Sequence, residues 1–267
     1  MKDYKLTLHS VLCQTGRLIL SYRAKIGKTE EKKKNEIVTP ADIAANEYIT
    51  EQLSKKYPEI PIFSEEGTKD KSQCRTRWIV DPLDGTTPWV WGNSGFSISV
   101  ALEDKGQIVV GAVYDPVMKE FFYAEKNRGA TRNSKPIKPV KNIPLKEMFV
   151  VVDWGNKKEE RKEGLSYLKH FFLPEMFARR VVPQFAPALG LCRIAEGRIH
   201  ALVCNITYVE DHSAGALILQ EAGGYCSNFY HTKSFKHRER GIIAANERAT
   251  HKLIVKFLKS KGFSLKD

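Results

Sequence analysis

Residues 78–87, with the sequence WIVDPLDGTT, carry the strongest structural signal in the chain. An apolar run typical of a buried strand ends at Val80 and is followed by Asp81, Asp84 and two threonines. Two carboxylates held within one turn repel each other strongly unless a cation lies between them. Oxygen ligands without a neighbouring Cys or His pair favour Mg²⁺ over zinc. The stretch therefore predicts a divalent metal site at the end of a strand.

The residues that follow suit a phosphate group. Gly85 permits a close approach of the backbone, and its N–H and that of Thr86 can face an anion. The Thr86 hydroxyl can orient a metal-bound water for attack. The alternative is a plain Asp-Gly hairpin turn. Pro82 and the flanking PWVWG are unusual in such a hairpin, so we favour the phosphate site.

Acidic residues also stand at the ends of other predicted elements. Glu65 and Glu66 close the strand-like PIFSEE, and Asp211 opens the helical DHSAGALILQEAGG. Any one such acid is typical of a cap or a turn, but the clustering of acids at the ends of elements makes capping alone a weaker explanation. Asp42 follows Thr39 at capping-box spacing, and capping is an alternative to any catalytic role for it.

The remaining pattern divides the chain into two lobes. Helical spacing covers 4–25, and a second helix is predicted from Thr39 and Pro40. Short β-rich runs fill 61–138 and predict a mostly antiparallel meander, whereas strands and helices alternate beyond Met148. We predict an α+β lobe with the metal site at 1–140 and an α/β lobe contributing Asp211 at 141–267, joined in one compact catalytic unit.

Composition narrows the function only weakly. The 267 residues carry a net charge of +12, which suits nucleic acid, a membrane surface or a small anionic substrate equally. The basic runs at 32–34 and 251–267 are typical of solvated faces. Five cysteines lack a C-x-x-C spacing, and neither a cleavable leader nor a membrane-spanning run is evident. We expect a cytoplasmic protein with no membrane partner and no specific nucleic-acid partner.

The motifs together resemble the inositol monophosphatase family, within the superfamily that includes fructose-1,6-bisphosphatase and the nucleotidases acting on 3'-phosphoadenosine 5'-phosphate. WIVDPLDGTT, FSEEG and EDHSAGALILQEAGG carry the likeness, and IVTPADIAANEYI, LGLCRIAEGRIHAL and IIAANERATHKLI follow the family order. The resemblance implies a layered αβαβα sugar-phosphatase fold, with an N-terminal antiparallel sheet lobe and a C-terminal α/β lobe. It also implies a Mg²⁺-dependent, Li⁺-sensitive phosphomonoesterase that forms a homodimer.

The resemblance implies two principal magnesium sites. The first takes Glu65, Asp81 and the carbonyl of Leu83. The second takes Asp81, Asp84 and Asp211. Mn²⁺ is a possible substitute, and hydrolysis would be a direct in-line displacement without a phosphoenzyme.

The resemblance also implies roles around these ions. Glu65, helped by Glu66, would hold a third and weaker ion that carries water. Thr86, oriented by Asp42, would help to activate the attacking water, and Gly85 with Thr86 would bind phosphate.

Departures from the family pattern leave the substrate open. Pro88 follows the threonines where Asn is common, Glu210 replaces a tryptophan, and Cys204 replaces a substrate-contacting glutamate. We predict hydrolysis of a small polyol or sugar phosphate such as inositol 1-phosphate. The alternatives are 3'-phosphoadenosine 5'-phosphate, although nucleotidases often carry Lys at the position of Thr87, or fructose 1,6-bisphosphate. An alternative of another class is a non-catalytic binding protein on the same fold.

Overall fold

The computed structural model describes residues 3–23, 30–33, 36–67, 74–155, 157–172, 178–183 and 186–266. The helices in this part of the chain are α1 Tyr4–Tyr22, α2 Pro40–Lys56, α3 Thr86–Val90, α4 Lys158–Phe172, α5 Pro187–Ala195, α6 Val209–Ala222 and α7 Arg248–Ser260. The strands are β1 Glu30–Lys33, β2 Glu36–Val38, β3 Ile62–Ser64, β4 Thr76–Asp84, β5 Ser97–Asp104, β6 Gln107–Asp115, β7 Glu120–Glu125, β8 Ala130–Arg132, β9 Lys135–Pro136, β10 Phe149–Asp153, β11 Arg180–Pro183, β12 Ala201–Cys204, β13 Tyr225–Ser227 and β14 Ile242–Ala245.

The second helix begins where its capping signals predict. Thr39 is the N-cap of α2, its side chain accepts from the backbone of Ala41 and Asp42, and Pro40 is the first helical residue. The Asp42 carboxylate accepts in return from the Thr39 backbone N–H at 2.7 Å, which completes the capping box. This prediction is confirmed.

The first large sheet has the strand order β3-β4-β5-β6-β7-β8-β9, antiparallel throughout except for the parallel pair β3 and β4. This confirms the predicted meander. The predicted turn at Asp81 and Asp84 is wrong in detail. Strand β4 runs through to Asp84, and its register with Ser99 and Ser97 of β5 shifts between the two aspartates. The extra residue forms a bulge, a device that re-aims side chains near active sites.

The Asp-Gly hairpin alternative is also wrong. Gly85 adopts a positive φ of 91° and is the N-cap of the short helix α3, rather than the corner of a hairpin. Glycine tolerates this backbone conformation without steric cost, which allows β4 to turn directly into α3.

The second sheet has the order β11-β10-β12-β14-β13. Strand β10 lies parallel to β11 and β12, and β14 is antiparallel to β12 and β13. The predicted alternation of strands and helices is therefore present in this half, in a mixed sheet.

Three apolar cores stack the elements in five layers. Helices α1 and α2 cover one face of the first sheet, α5 and α6 fill the space between the sheets, and α4 and α7 cover the outer face of the second sheet. This confirms the predicted αβαβα fold. None of the helices in the described ranges is long and apolar enough to cross a membrane.

Candidate functional site

A cavity of about 180 Å³ lies where the end of β4 meets the start of α6. Seven of the eight predicted site residues line it, namely Glu65, Asp81, Leu83, Asp84, Gly85, Thr86 and Asp211. The eighth, Asp42, lies behind Thr86 and contacts it directly. The tertiary fold therefore brings together acids that are up to 146 positions apart in the chain, as Glu65 and Asp211 are.

The two aspartates of β4 are almost fully buried, at 2% exposure for Asp81 and 4% for Asp84. The Asp81 Oδ1 accepts from the Leu83 N–H at 3.0 Å. The Asp84 Oδ2 accepts from the Ser97 hydroxyl at 3.0 Å and from the Ala188 N–H at 3.0 Å, which links β4 to the start of α5. In each aspartate one carboxylate oxygen is held by the protein, which orients the side chain.

The other acids reach the cavity from separate elements. Asp211 lies in the first turn of α6, where its Oδ2 accepts from the Tyr208 N–H at 2.7 Å. Glu65 follows β3 and is more exposed, and its N–H donates to the Val80 carbonyl at 3.2 Å. Asp211 thus reaches the cavity from α6, the helix between the two sheets, and Glu65 reaches it from the end of β3, the edge strand beside β4.

Burial and mutual repulsion disturb the titration of these groups. Burial raises the pKa of Asp84 to about 7. Burial also raises the pKa of Asp81 well above its usual range, and the charges of Glu65, Asp84 and Asp211 raise it further. The pKa of Asp211 is raised by burial and next by the neighbouring Glu210. A bound cation would remove this penalty on the ionised forms.

The donor set fits a hard divalent cation. Its members are carboxylate oxygens and a backbone carbonyl, the ligands that Mg²⁺ prefers. Within the described ranges, no three or more His, Cys, Asp or Glu side chains already converge on a single point as metal ligands. Carboxylates without a cation between them repel one another and stay apart, and a bound cation would draw them together.

Asp42 and Thr86 form a hydrogen-bonded pair, with Thr86 on the cavity wall and Asp42 behind it. The Thr86 hydroxyl lies 3.0 Å from Asp42 Oδ1 and 3.2 Å from the Leu83 carbonyl. Burial raises the pKa of Asp42 to about 6, against hydrogen bonds from Thr39 and Thr86 that lower it. Asp42 therefore caps α2 with one oxygen and contacts Thr86 with the other, so capping and a role at the site are compatible.

Several cavity residues were not predicted from the sequence. They are Ile37, Thr87, Asp153, Trp154, Gly155, Glu160, Pro187, Ile206 and Tyr208. Asp153 ends β10 and is buried, and burial raises its pKa well above the usual range. A signal for it was available, because it closes the apolar run MFVVVD much as Asp81 closes WIVD. Glu160 and Tyr208 gave no local signal.

Cys204, a departure from the family pattern, and His212, the neighbour of Asp211, are not among the residues that line the cavity. Cys204 is buried, and its thiol donates to the Ile206 carbonyl at 2.9 Å, so it does not take the place of a substrate-contacting side chain. His212 is buried with Nε2 at 2.8 Å from the His237 carbonyl and Nδ1 at 2.7 Å from the Thr207 hydroxyl. A carbonyl only accepts, so Nε2 carries a proton. Burial lowers the pKa of His212 to about 4, which keeps the ring neutral near pH 7.

Comparisons with known proteins agree with this geometry. A family model described as the inositol monophosphatase family matches residues 5–262. A Thermotoga maritima protein named fructose-1,6-bisphosphatase/inositol-1-monophosphatase is 31% identical over 224 residues, 82% of each chain. The Nus factor SuhB of Vibrio cholerae is 31% identical over 246 residues, 89% of this chain and 88% of that one. A solved inositol monophosphatase structure from Thermotoga maritima has a TM-score of 0.85 at 27% identity, covering 98% of this chain and all of that one. The chain therefore belongs to the inositol monophosphatase family.

Proposed function

We propose that this protein is a Mg²⁺-dependent phosphomonoesterase that hydrolyses a small polyol or sugar phosphate such as inositol 1-phosphate. The observation that carries the proposal is the convergence of Glu65, Asp81, Asp84 and Asp211 on the cavity that the Thr86 hydroxyl also lines. Membership of a phosphatase family supports the reaction class, and the names of the relatives differ enough to leave the substrate to experiment.

The metal ligands in this proposal are Glu65, Asp81, the carbonyl of Leu83, Asp84 and Asp211. Bound Mg²⁺ would lower the pKa of water and offset negative charge on the phosphate oxygens. The hydrogen bonds to one oxygen of Asp81 and of Asp84 limit rotation of these carboxylates. The side chains would therefore lose less conformational freedom when the cation binds. Glu65, helped by Glu66, would also hold a third and weaker ion.

Thr86 and Asp42 would manage the proton of the attacking water. An ionised Asp42 can only accept, so it draws the Thr86 hydroxyl proton towards Oδ1. The lone pairs of the Thr86 oxygen then face the cavity and can accept a hydrogen bond from a water, which orients that water for attack. Because the pKa of Asp42 is about 6 without a bound cation, this arrangement is complete at neutral pH.

The phosphate would lie against the turn between β4 and α3. The left-handed conformation of Gly85 exposes backbone at the cavity wall, and we propose that the N–H groups of Gly85 and Thr86 bind phosphate oxygens. A side chain at position 85 would both strain the backbone and narrow this wall.

The proposal is tested by phosphate release from inositol 1-phosphate with Mg²⁺, with EDTA, and with Mg²⁺ plus Li⁺. Turnover that needs Mg²⁺, falls with Li⁺ and is lost in Asp84→Asn supports it. Asp3→Asn is the matched control, because Asp3 is an exposed N-cap of α1 and Asn caps a helix equally well. Equal activity in the two variants would show that Asp84 has no role in the chemistry. Absence of turnover on any phosphate monoester, together with intact Mg²⁺ binding by calorimetry, would favour a non-catalytic binding protein.

A second candidate substrate class carries a second anionic group, as 3'-phosphoadenosine 5'-phosphate and fructose 1,6-bisphosphate do. Tyr208, on the cavity wall, has the Lys157 Nζ 3.0 Å from its hydroxyl and the Arg240 guanidinium 4.8 Å from its ring centre. These cations stand beside the acidic cavity and would attract a distal phosphate. Arg240→Ala is expected to raise KM for a bisphosphate several-fold and to leave KM for inositol 1-phosphate unchanged. The same change in both KM values would count against this preference.

A further inference from the structure

A second cavity, of about 520 Å³, lies on the far side of the second sheet and shares no lining residue with the acidic cavity. We call it the basic groove. Its lining consists of Tyr225, Thr232, Lys233, Arg248, His251, Lys252, Val255, Lys256 and Lys259. Five of these nine residues are cationic, and none of these lining residues, all of them described, is acidic.

Helix α7 supplies four of the five cations from one stripe. Arg248, Lys252, Lys256 and Lys259 follow one another at intervals of four, four and three residues, the spacing of side chains that share a helix face. At a rise of about 1.5 Å per residue, the stripe is about 16 Å long. Lys233 faces it from the segment after β13.

This arrangement works against the stability of α7. Like charges four residues apart on a helix repel, and a cation in the first turn opposes the helix dipole, as Arg248 does. Arg248–Ser260 contains no acidic residue to offset the repulsion along the stripe, whereas the N-cap residue Glu247 offsets the dipole cost at the first turn. The opposite face packs on the second sheet through buried Ile254 and Leu258, which stabilises the helix enough to carry this cost. A helix face that only contacts water does not need so many charges of a single sign.

The shape and the side chains of the basic groove indicate its ligand. A row of cations matches a linear polyanion better than a single phosphate, and a concave surface suits a strand better than a flat membrane. Tyr225 adds a half-buried aromatic ring, whose centre lies 5.5 Å from the Arg248 guanidinium. A cationic groove with an aromatic ring is the pattern of proteins that bind single strands without reading their sequence.

We propose that the basic groove binds the phosphodiester backbone of a single-stranded nucleic acid, independently of its base sequence. His251 contributes packing rather than charge to this site. Its ring is buried, with Nε2 at 2.7 Å from the Ser227 hydroxyl and its edge on the Tyr225 ring. The charged residues facing it are Arg248 and Lys252 of its own helix and Lys233 of the opposite wall. The five cations alone therefore supply the electrostatic attraction.

The test is fluorescence anisotropy of a labelled mixed-sequence RNA of about 20 nucleotides, titrated with the full chain between about 50 and 200 mM salt. The groove variant is Lys252→Ala/Lys256→Ala. The matched control is Lys158→Ala/Lys162→Ala on α4, which removes two exposed lysines at the same helical spacing. Alanine favours helix at all four positions. Lys233→Ala tests the opposite wall without altering a helix.

Loss of two phosphate contacts should reduce the slope of log affinity against log salt by about 1.4, at about 0.7 per contact on a single strand. Near 1 M salt the electrostatic part of the binding free energy vanishes, so the variant and the unaltered chain should bind alike there. At about 0.1 M salt, the same slope change makes binding by the variant about 25-fold weaker. Lys233→Ala removes one contact, so it should reduce the slope by about half as much, about 0.7. The control variant should bind as the unaltered chain does, and phosphate release should be equal in all four proteins.

Three results would overturn the proposal. One is the absence of RNA binding at the lowest salt. Another is an equal loss in groove and control variants, which would assign the binding to net charge. The third is binding to phosphatidylserine vesicles without binding to RNA, which would make the basic groove a membrane-facing surface. None of these outcomes depends on whether the acidic cavity is catalytic.

Discussion

The Thr86 hydroxyl and the Asp42 carboxylate lie 3.0 Å apart, although 44 residues separate them in the chain. The same carboxylate closes the capping box of α2, so the start of that helix positions the acid beside the cavity. In the proposed mechanism, Asp42 would position the Thr86 hydroxyl.

Replacement of Asp42 by asparagine should lower kcat about 100-fold, because Asn offers no charge to draw the Thr86 proton. KM should change little, because Asp42 does not line the cavity. Steady-state phosphate release measures both. Helix α2 should survive, because the Asn side-chain oxygen can still accept from the Thr39 N–H. The matched control Asp3→Asn should retain full kcat. A fall in thermal stability that accounts for the lost activity would contradict the kinetic role.

The pH dependence of kcat in the unaltered protein should show an acid limb. Asp42 must be ionised for its negative charge to draw the Thr86 proton, and its pKa is about 6 without a cation. Bound Mg²⁺ favours the ionised form, so the limb is expected at pH 6 or below. The limb should be absent from the residual activity of Asp42→Asn. An unchanged acid limb in that variant would assign it to another group.

Stability of the metal-free protein should fall as pH rises. Asp42 and Asp84 have folded pKa values of about 6 and about 7, above the unfolded value of 3.8. Each therefore binds its proton more tightly when folded, so its contribution is complete below about pH 4 and is lost as pH rises through 6 to 7. Thermal unfolding with EDTA between about pH 5 and pH 8 measures this.

Excess Mg²⁺ should reverse that trend, because the cation binds the ionised carboxylates of the folded state. Glu51→Gln, an exposed change on α2, is the control and should follow the unaltered protein. A Tm that is independent of pH in EDTA would argue against the rise in the pKa values of Asp42 and Asp84 that burial causes.

Glu103 should be a stability determinant remote from the chemistry. It is fully buried on β5, 2.8 Å from Arg77 Nε, 2.7 Å from Arg238 and 3.2 Å from His237. Glu103→Gln removes the negative charge that pairs with buried Arg77 and should cost about 3–5 kcal/mol in the free energy of unfolding. Urea unfolding measures the loss. The exposed pair Glu51 and Lys55 gives the comparison, because Glu51→Gln should cost less than about 1 kcal/mol. Equal costs would mean that the burial of Glu103 is unimportant.

Gly111→Ala should disturb the packing of α6. A Cβ at this position would lie 2.7 Å from the Ala214 carbonyl oxygen, and that backbone cannot move without shifting the helix. We expect a loss of about 1–3 kcal/mol in stability. Since Asp211 lies in the first turn of the same helix, the Mg²⁺ affinity measured by calorimetry should fall as well. Unchanged metal affinity in a destabilised variant would show that the α6 N-terminus is held independently of this contact.

The sequence by itself determined what depends on neighbours in the chain. Thr39, Pro40 and Asp42 specify the start of α2 because capping is a local hydrogen-bond pattern. The apolar run at 78–80 and the β-rich run at 97–102 specify strands, because short runs of this composition bounded by turn residues are typical of strands. The acids predicted for the site follow from the same local patterns and from a resemblance that extends along the chain.

Only the tertiary structure decided what depends on residues distant in sequence. The bulge between Asp81 and Asp84 exists in relation to β5, and no property of 78–87 alone distinguishes it from a turn. Tyr208 joins the cavity wall through the hydrogen bond from its N–H to Asp211, which places it at the start of α6. Lys233, from the segment between β13 and β14, lines the same cavity as the stripe of α7, and so a charge run typical of a solvated face becomes one wall of a groove. The physical reason is that contacts between distant residues form only when packing of the apolar faces brings their elements together, and periodicity along one segment carries no information about the partner.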